Sequence, residues 1–191
     1  MMKETTLTIE QIEAILVAYP HSPFYIRQHI VITNVSWGFL NHEADLLVIT
    51  KAGYLTEIEV KRTWEDFKAD FRKDHAHDDP KLSHFYYAVP KKIGQKVFDF
   101  LYEGNYKCRN CWYDSSIVTK NTENNPHGCG LIIFGDEEET GMKYGRCCIN
   151  VVSSRMGKYK VSTEEKLQLL RLCGMRIWNL KKKLAKLQMI K

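Results

Sequence analysis

The segment that decides the fold of this 191-residue chain covers residues 44–61 and reads ADLLVITKAGYLTEIEVK. Its first part, Leu46 to Ile49, is apolar without alternation, which is typical of a strand covered on both faces. A second strand-like run, Tyr54 to Lys61, follows the short connection Lys51-Ala52-Gly53. Two such runs around a short, glycine-containing connection predict a β-hairpin, and the apolar first run places it centrally in a sheet.

Ionisable side chains lie on one face of the second strand of this hairpin. Because strand side chains alternate, Glu57, Glu59 and Lys61 project to the same side. Asp45 begins the first strand and can reach the same place across the hairpin. The sequence therefore predicts that carboxylates from adjacent strands and an amine meet in one cleft. The alternative is a solvated strand face, on which an ion pair contributes little to stability.

This set of side chains suits metal-dependent phosphate chemistry. Mg²⁺ prefers hard carboxylate oxygens together with waters and substrate phosphates. A bound Mg²⁺ or Mn²⁺ activates a water and offsets the charge that builds on a phosphate. We therefore expect Asp45 and Glu59 to hold the metal and Lys61 to act on the water or the phosphate. Glu57 is either a further ligand or a solvated neighbour.

The remaining predicted elements surround the hairpin with strands and helices. Thr8 with Gln11, and Ser162 with Glu165, form capping boxes that begin the first and the last helix. The predicted helices cover 8–19, 64–73, 93–102 and a long C-terminal segment, and the further strands cover 30–35, 85–89, 131–134 and 144–152. The elements up to residue 89 follow the order α-β-β-β-α-β, which predicts one α/β domain with a mixed central sheet flanked by helices.

Asp45, the hairpin and the triplet Glu59-Val60-Lys61, within that order of elements, resemble the PD-(D/E)XK nuclease superfamily. More narrowly, residues 43–47 (EADLL), the Glu59 triplet, residues 66–73 (DFKADFRK) and residues 85–90 (FYYAVP) resemble MmcB-type DNA-repair proteins. The similarity covers roughly residues 31–90 and, more faintly, 130–134. Ala44 stands where the superfamily motif has proline.

The resemblance implies a restriction-endonuclease-like core (αβββαβ), a nucleic-acid substrate and a catalytic Lys61. It also implies that Asp45 and Glu59, together with the Val60 carbonyl, bind the metal. Lys68, Arg72 and Lys73 would then bind phosphates of the nucleic acid. The alternative for these three cations is that they complement the dipole at the C-terminal end of their helix.

Residues 103–129 lack periodicity, and we interpret them as a loop-rich insertion in a single domain that spans residues 1–191. Cys108 and Cys111 form a C-x-x-C pair there, and His127 and Cys129 follow. Together these four residues have the ligand types of a tetrahedral Zn²⁺ site, which would staple the insertion. Buried or idle thiols are the alternative, and Cys147 and Cys148 offer competing ligands.

Composition sets broad limits on the class of protein. Hydrophobic residues make up 44% and charged residues 27%, which is ordinary for a globular chain, and the formal net charge is +5. That balance permits a polyanionic partner without requiring one. The chain has no apolar run long enough for a spanning helix and no secretory signal at its start, so we expect a cytoplasmic protein with six reduced cysteines and no membrane contact.

The last predicted helix has an apolar line flanked by basic faces; the line comprises Leu167, Leu170, Gly174, Ile177 and Leu184. The sequence gives no indication of the oligomeric state.

The functional expectation is a divalent-metal-dependent nuclease that hydrolyses phosphodiester bonds of DNA, in a repair, restriction or mobile-element context. The alternative is a catalytically silent nucleic-acid-binding or assembly module of the same fold. In one form of this alternative, a zinc ion stabilises the insertion.

Overall fold

An open, mixed sheet of six strands, in the order β1-β2-β3-β4-β7-β8, carries helices on both faces. This computed structural model describes residues 5–36, 38–72, 77–103, 119–120, 123–125 and 127–188. The elements are α1 (Ile9–Val17), β1 (Ile30–Val35), β2 (Ala44–Ile49), β3 (Leu55–Val60), α2 (Trp64–Asp70), β4 (Leu82–Pro90), α3 (Lys91–Leu101), β5 (Tyr102–Glu103), β6 (Thr119–Lys120), β7 (Gly130–Gly135), α4 (Glu137–Thr140), β8 (Arg146–Val151) and α5 (Thr163–Gln188). The predicted α/β class, with a mixed central sheet and flanking helices, is confirmed.

The hairpin of β2 and β3 lies in the interior of this sheet, as the sequence predicts. The two strands pair antiparallel, with Leu46 opposite Ile58 and Leu47 opposite Glu57. The turn closes through a 2.9 Å hydrogen bond from the Gly53 N–H to the Thr50 carbonyl, and Gly53 has a φ of +87°. A side chain is strained at such a φ, so glycine suits this turn.

β3 also pairs with β4 on its other edge, in parallel, and β4 pairs in parallel with β7. Antiparallel neighbours can be joined by a tight turn, but parallel neighbours need a longer crossover connection. α2 and the segment after it provide that crossover between β3 and β4. All six residues of β3 are buried, because the strand has neighbours on both edges and helices over both faces.

Alternating residues of the central strands contribute to cores on the two faces of the sheet. Leu46, Val48 and Ile58 face α1, where the capping box of Thr8 and Gln11 is present as predicted. Phe85 and Tyr87 of β4 face the other side and pack with residues of α2 and α3. The side chains of Glu57 and Glu59 belong to this second side, so the carboxylates lie between the sheet and α2.

α5 contacts the sheet through a line that the sequence did not indicate. Leu169 is buried in a third core, which it forms with residues of the β2–β3 hairpin. Leu172 and Cys173 are partly buried and pack against this third core. The apolar line through Leu167, Leu170 and Ile177 is instead exposed to solvent. The predicted capping box of Ser162 and Glu165 is present.

The predicted insertion lies mostly outside the described residues. β5 and β6 form a separate two-stranded antiparallel sheet at its base. Among the helices within the described ranges, none combines the length and apolar character needed to cross a bilayer.

A substitution at Gly130 tests how closely β7 packs against β4. A Cβ at this position would overlap the ring of buried Tyr86 and lie 2.8 Å from the Ser153 backbone nitrogen. We expect Gly130→Ala to lower the free energy of unfolding by about 1–3 kcal/mol, as overpacking of a core does. Chemical denaturation measures this.

Gly174→Ala is the matched control, because a Cβ there meets nothing within 4 Å and the residue lies inside α5. It should be neutral or stabilise the protein by up to about 1 kcal/mol. Equal unfolding midpoints for the Gly130→Ala variant and the wild type would contradict the described contact.

Candidate functional site

Lys61 is held at the end of β3 by two buried ion pairs. Its backbone N–H donates to the Ala88 carbonyl at 2.9 Å, which continues the pairing of β3 with β4. Its Nζ donates to Glu59 Oε1 and to Asp70 Oδ1, both at 2.8 Å. Only 3% of Lys61 is exposed. The amine is therefore fixed between one carboxylate of the sheet and one of α2.

Asp45 lies on the adjoining strand, next to this pair. One step beyond the Leu46–Ile58 pair, the β2–β3 register places Asp45 opposite Glu59. Asp45 Oδ2 accepts a 2.8 Å hydrogen bond from the Val60 N–H, and the residue is half-buried. The structure thus brings Glu59 and Lys61 into direct contact and places Asp45 on the same side of the hairpin.

Asp45 and Glu59 share an environment that opposes negative charge. Burial and the nearby charge of Asp45 raise the pKa of Glu59, although Lys61 acts in the opposite direction. Burial likewise raises the pKa of Asp45 above its usual value, against the hydrogen bond from Val60. Glu59 Oε2 is buried and has no hydrogen-bond partner among the described residues. A cation beside these oxygens would stabilise both carboxylate anions against burial and against the repulsion of nearby negative charge.

Asp70, at the end of α2, connects Lys61 to a second group of buried side chains. Its Oδ2 accepts from Tyr87 Oη at 2.9 Å and lies 2.8 Å from His77 Nε2. Burial opposes the charge of Asp70, but hydrogen bonding to His77 and the charge of Lys61 outweigh it and lower the pKa of the carboxyl. Asp70 is therefore an anion with partners on three sides.

Glu57 lies between two histidines. His77 Nδ1 is 2.7 Å from Glu57 Oε1, and His42 Nε2 is within 2.9 Å of both Glu57 oxygens. His42 and Glu57 are fully buried, and 5% of His77 is exposed. Burial would lower the pKa of His77, but hydrogen bonds and charge attraction from Asp70 and Glu57 raise it to about 9. The interpretation of Glu57 as a solvated neighbour is therefore wrong.

The sequence did not indicate Asp70, His77 or His42 as members of the site. Asp70 lies inside the predicted helix of residues 64–73, but helix periodicity does not mark it. His77 belongs to DHAHDD at residues 74–79, whose density of ionisable residues before a buried strand was the available signal. His42 precedes β2 by two residues and carries no comparable signal.

The cations that the sequence predicts to bind phosphates lie at or near the end of α2. Arg72 is exposed just beyond it, and Lys68 places its Nζ 5.6 Å from the centre of the Trp64 ring. Lys73 lies outside the described residues.

Half of the predicted zinc set, Cys108 and Cys111, also lies outside the described residues. His127 is exposed, whereas Cys129 is buried. Burial raises the pKa of the Cys129 thiol to about 12, which disfavours the thiolate that zinc requires.

No protein-family model matches the chain, and none of the curated proteins matches it. Among solved structures, it is similar to the SPO1766 protein of unknown function from Silicibacter pomeroyi. The two are 13% identical, the match covers 82% of each chain, and the TM-score is 0.45.

The charge of His77 predicts how stability depends on pH. Because the pKa is raised from 6.5 to about 9 on folding, His77 stabilises the protein fully below pH 6.5, and this contribution is lost as pH rises through 9. The shift corresponds to at most about 3.5 kcal/mol. In EDTA, the difference in free energy of unfolding between wild type and His77→Gln should therefore shrink as pH rises from 6 to 9.5.

His127→Gln is the matched control, because His127 is exposed. It should follow the wild type across the same pH range. A wild type to His77→Gln difference that stays constant over that range would show that folding does not raise the pKa of His77.

Proposed function

We propose that this protein is a divalent-metal-dependent nuclease that hydrolyses phosphodiester bonds of DNA, built on a restriction-endonuclease-like core. One observation carries the proposal: Asp45 and Glu59 lie side by side on adjacent strands, and Lys61 contacts Glu59 on the same side of the sheet. Two carboxylates that can hold a metal and an amine that can act on water or phosphate suit metal-dependent phosphate chemistry. The proposal places the protein in the cytoplasm, in a repair, restriction or mobile-element context.

Asp45 and Glu59 fit a hard divalent cation. The buried Glu59 Oε2 has no hydrogen-bond partner within the described ranges, and each carboxyl has a raised pKa. Mg²⁺ and Mn²⁺ are bound by such oxygens. We assign Asp45, Glu59 and the Val60 carbonyl as the protein ligands. When bound, the ion would lower the pKa of a water and offset charge on the phosphate.

Lys61 acts as a fixed cation in this proposal. Burial alone would lower its pKa, but attraction to Glu59 and Asp70 raises it, so the amine stays protonated. A protonated amine donates hydrogen bonds and does not accept a proton. Lys61 therefore orients the attacking water or holds a phosphate oxygen, while Asp70 keeps the amine in position.

The cations near the end of α2 extend this site towards a nucleic-acid backbone. Arg72 is exposed and Lys68 is half-buried, and α2 follows Lys61 directly in the chain. Lys68 lies on α2, which also carries Asp70, and Arg72 lies two residues beyond its end. We propose that they contact phosphates on one side of the scissile bond.

A second candidate function is a catalytically silent DNA-binding or assembly module. The burial of Lys61 and its two ion pairs favour this candidate, because an amine that ends between two carboxylates can serve stability alone. The nuclease and the DNA-binding form of the silent module share DNA binding and differ in cleavage.

Asp45→Asn separates them with little disturbance of the fold, because it keeps the shape of a half-buried side chain. We expect nicking of supercoiled plasmid in Mg²⁺ or Mn²⁺ by the wild type, and a loss on the order of a hundredfold or more in the variant, since the ligand supports several kcal/mol of charge stabilisation. The rate of nicking is measured over a metal titration.

Glu43→Gln is the control, because it removes one acid from an exposed position two residues away. It should cut at the wild-type rate. If the wild type binds DNA but never cuts it with either metal, and Asp45→Asn binds equally well, the silent module replaces the nuclease.

Arg72→Ala tests the DNA contact. It should weaken binding to duplexes of different sequence by a similar factor and reduce the slope of log affinity against log salt by about one. Lys51→Ala, at the exposed turn at the other end of the hairpin, removes one positive charge as a control. Equal salt slopes for the two variants would exclude a contact specific to α2. Fluorescence anisotropy over a salt series provides the measurement.

A further inference from the structure

Two imidazoles and one carboxylate converge in the buried space beside the proposed nuclease site. His42 comes from the segment before β2, Glu57 from β3, and His77 from the segment before β4. Each residue offers one atom that could bind a metal, and these three atoms lie within 4.8 Å of one another. This set differs in chemistry from Asp45 and Glu59, because it contains two nitrogens and one oxygen.

The outer nitrogens of both imidazoles have oxygen acceptors. His42 Nδ1 lies 2.6 Å from Asn41 Oδ1, and His77 Nε2 lies 2.8 Å from Asp70 Oδ2. Both inner nitrogens point at Glu57. A metal would displace the proton that His77 Nδ1 shares with Glu57, while both outer nitrogens keep their oxygen partners. Metal-binding histidines are oriented by hydrogen bonds of this kind.

The spacing also suits a metal. The inner nitrogens lie 2.7–2.9 Å from the Glu57 oxygens. Two ligands at about 2.0–2.1 Å from a tetrahedral metal are about 3.3 Å apart, so each imidazole would move away from Glu57 by roughly half an ångström. The three residues therefore need only small side-chain adjustments to surround an ion.

We propose that His42, Glu57 and His77 bind a divalent transition-metal ion, for which Zn²⁺ is the probe. Imidazole nitrogens favour Zn²⁺ and its neighbours over Mg²⁺, so this site and the Asp45–Glu59 site select different ions. The ion would join the segments before β2 and β4 to β3. It would also fix His77 against Asp70, and through Asp70 the position of Lys61.

The test measures Zn²⁺ bound per chain, by equilibrium dialysis and elemental analysis, and the first shell of the bound metal by X-ray absorption. A Cys108→Ser/Cys111→Ser variant removes the C-x-x-C thiols from the experiment. We expect one Zn²⁺ per chain in wild type and in this variant, with two imidazoles and no sulfur in the first shell. A sulfur-containing shell, or no bound Zn²⁺, overturns the proposal.

Two variants locate the ion. Asn41→Ala changes an exposed residue that orients His42, so the fold should persist, and Zn²⁺ affinity should fall about 10- to 100-fold. His127→Gln should bind as the wild type does. Unchanged affinity in Asn41→Ala would place the ion elsewhere.

Asp45→Asn separates this proposal from the proposed function. It should retain Zn²⁺ while losing Mg²⁺-dependent cleavage, so either proposal can fail while the other stands. Loss of Zn²⁺ from a folded Asp45→Asn variant would mean that the ion sits at the acidic pair, and the proposal would be wrong.

Discussion

A single buried carboxylate, that of Asp70, holds two sets of charged side chains together. It accepts from Lys61 on one oxygen, and it meets His77 and Tyr87 on the other. Charges are expensive to bury, and removing one partner of a buried pair typically costs about 3–5 kcal/mol because the other is left uncompensated. The end of α2 is therefore tied to both β3 and β4, and the position of the Lys61 amine depends on this helix as much as on its own strand.

The balance of charge around Asp70 explains why the region suits cations. In the described part of the chain, four carboxylates face the space between the hairpin and α2: Asp45, Glu57, Glu59 and Asp70. Lys61 and the charged form of His77 supply two positive charges. The raised pKa values of Asp45 and Glu59 express the imbalance, since burial disfavours both anions and each is repelled by neighbouring carboxylates. A divalent ion adds the missing charge without requiring either carboxyl to take up a proton.

Local patterns predicted the frame of the site but not its full membership. The apolar run of β2, the glycine turn and the alternation of β3 depend on residues close in sequence, so they indicated the hairpin and the shared face of Glu57, Glu59 and Lys61. His42 and His77 reach Glu57 from 15 and 20 residues away, and no periodicity records such contacts. In α5 a regular local pattern was present but did not mark the buried face. Its apolar line faces solvent, because α5 contacts the sheet through Leu169 and the residues near it.

Exposure varies across the cluster, and Asp45 is the most exposed of its four carboxylates. Asp45 is half-buried, whereas Glu57 and His42 are fully buried and Lys61 is nearly so. Solvent therefore reaches the cluster at the Asp45 end, and under the proposed function a substrate phosphate would approach there. The imidazole end is enclosed by Phe85, which stacks on His77 with ring centres 4.5 Å apart. An ion at the enclosed end would exchange slowly and act on structure, while an ion beside Asp45 could meet a phosphate. Under the two proposals, the carboxylate end would carry the chemistry and the imidazole end would add rigidity, with Asp70 between them.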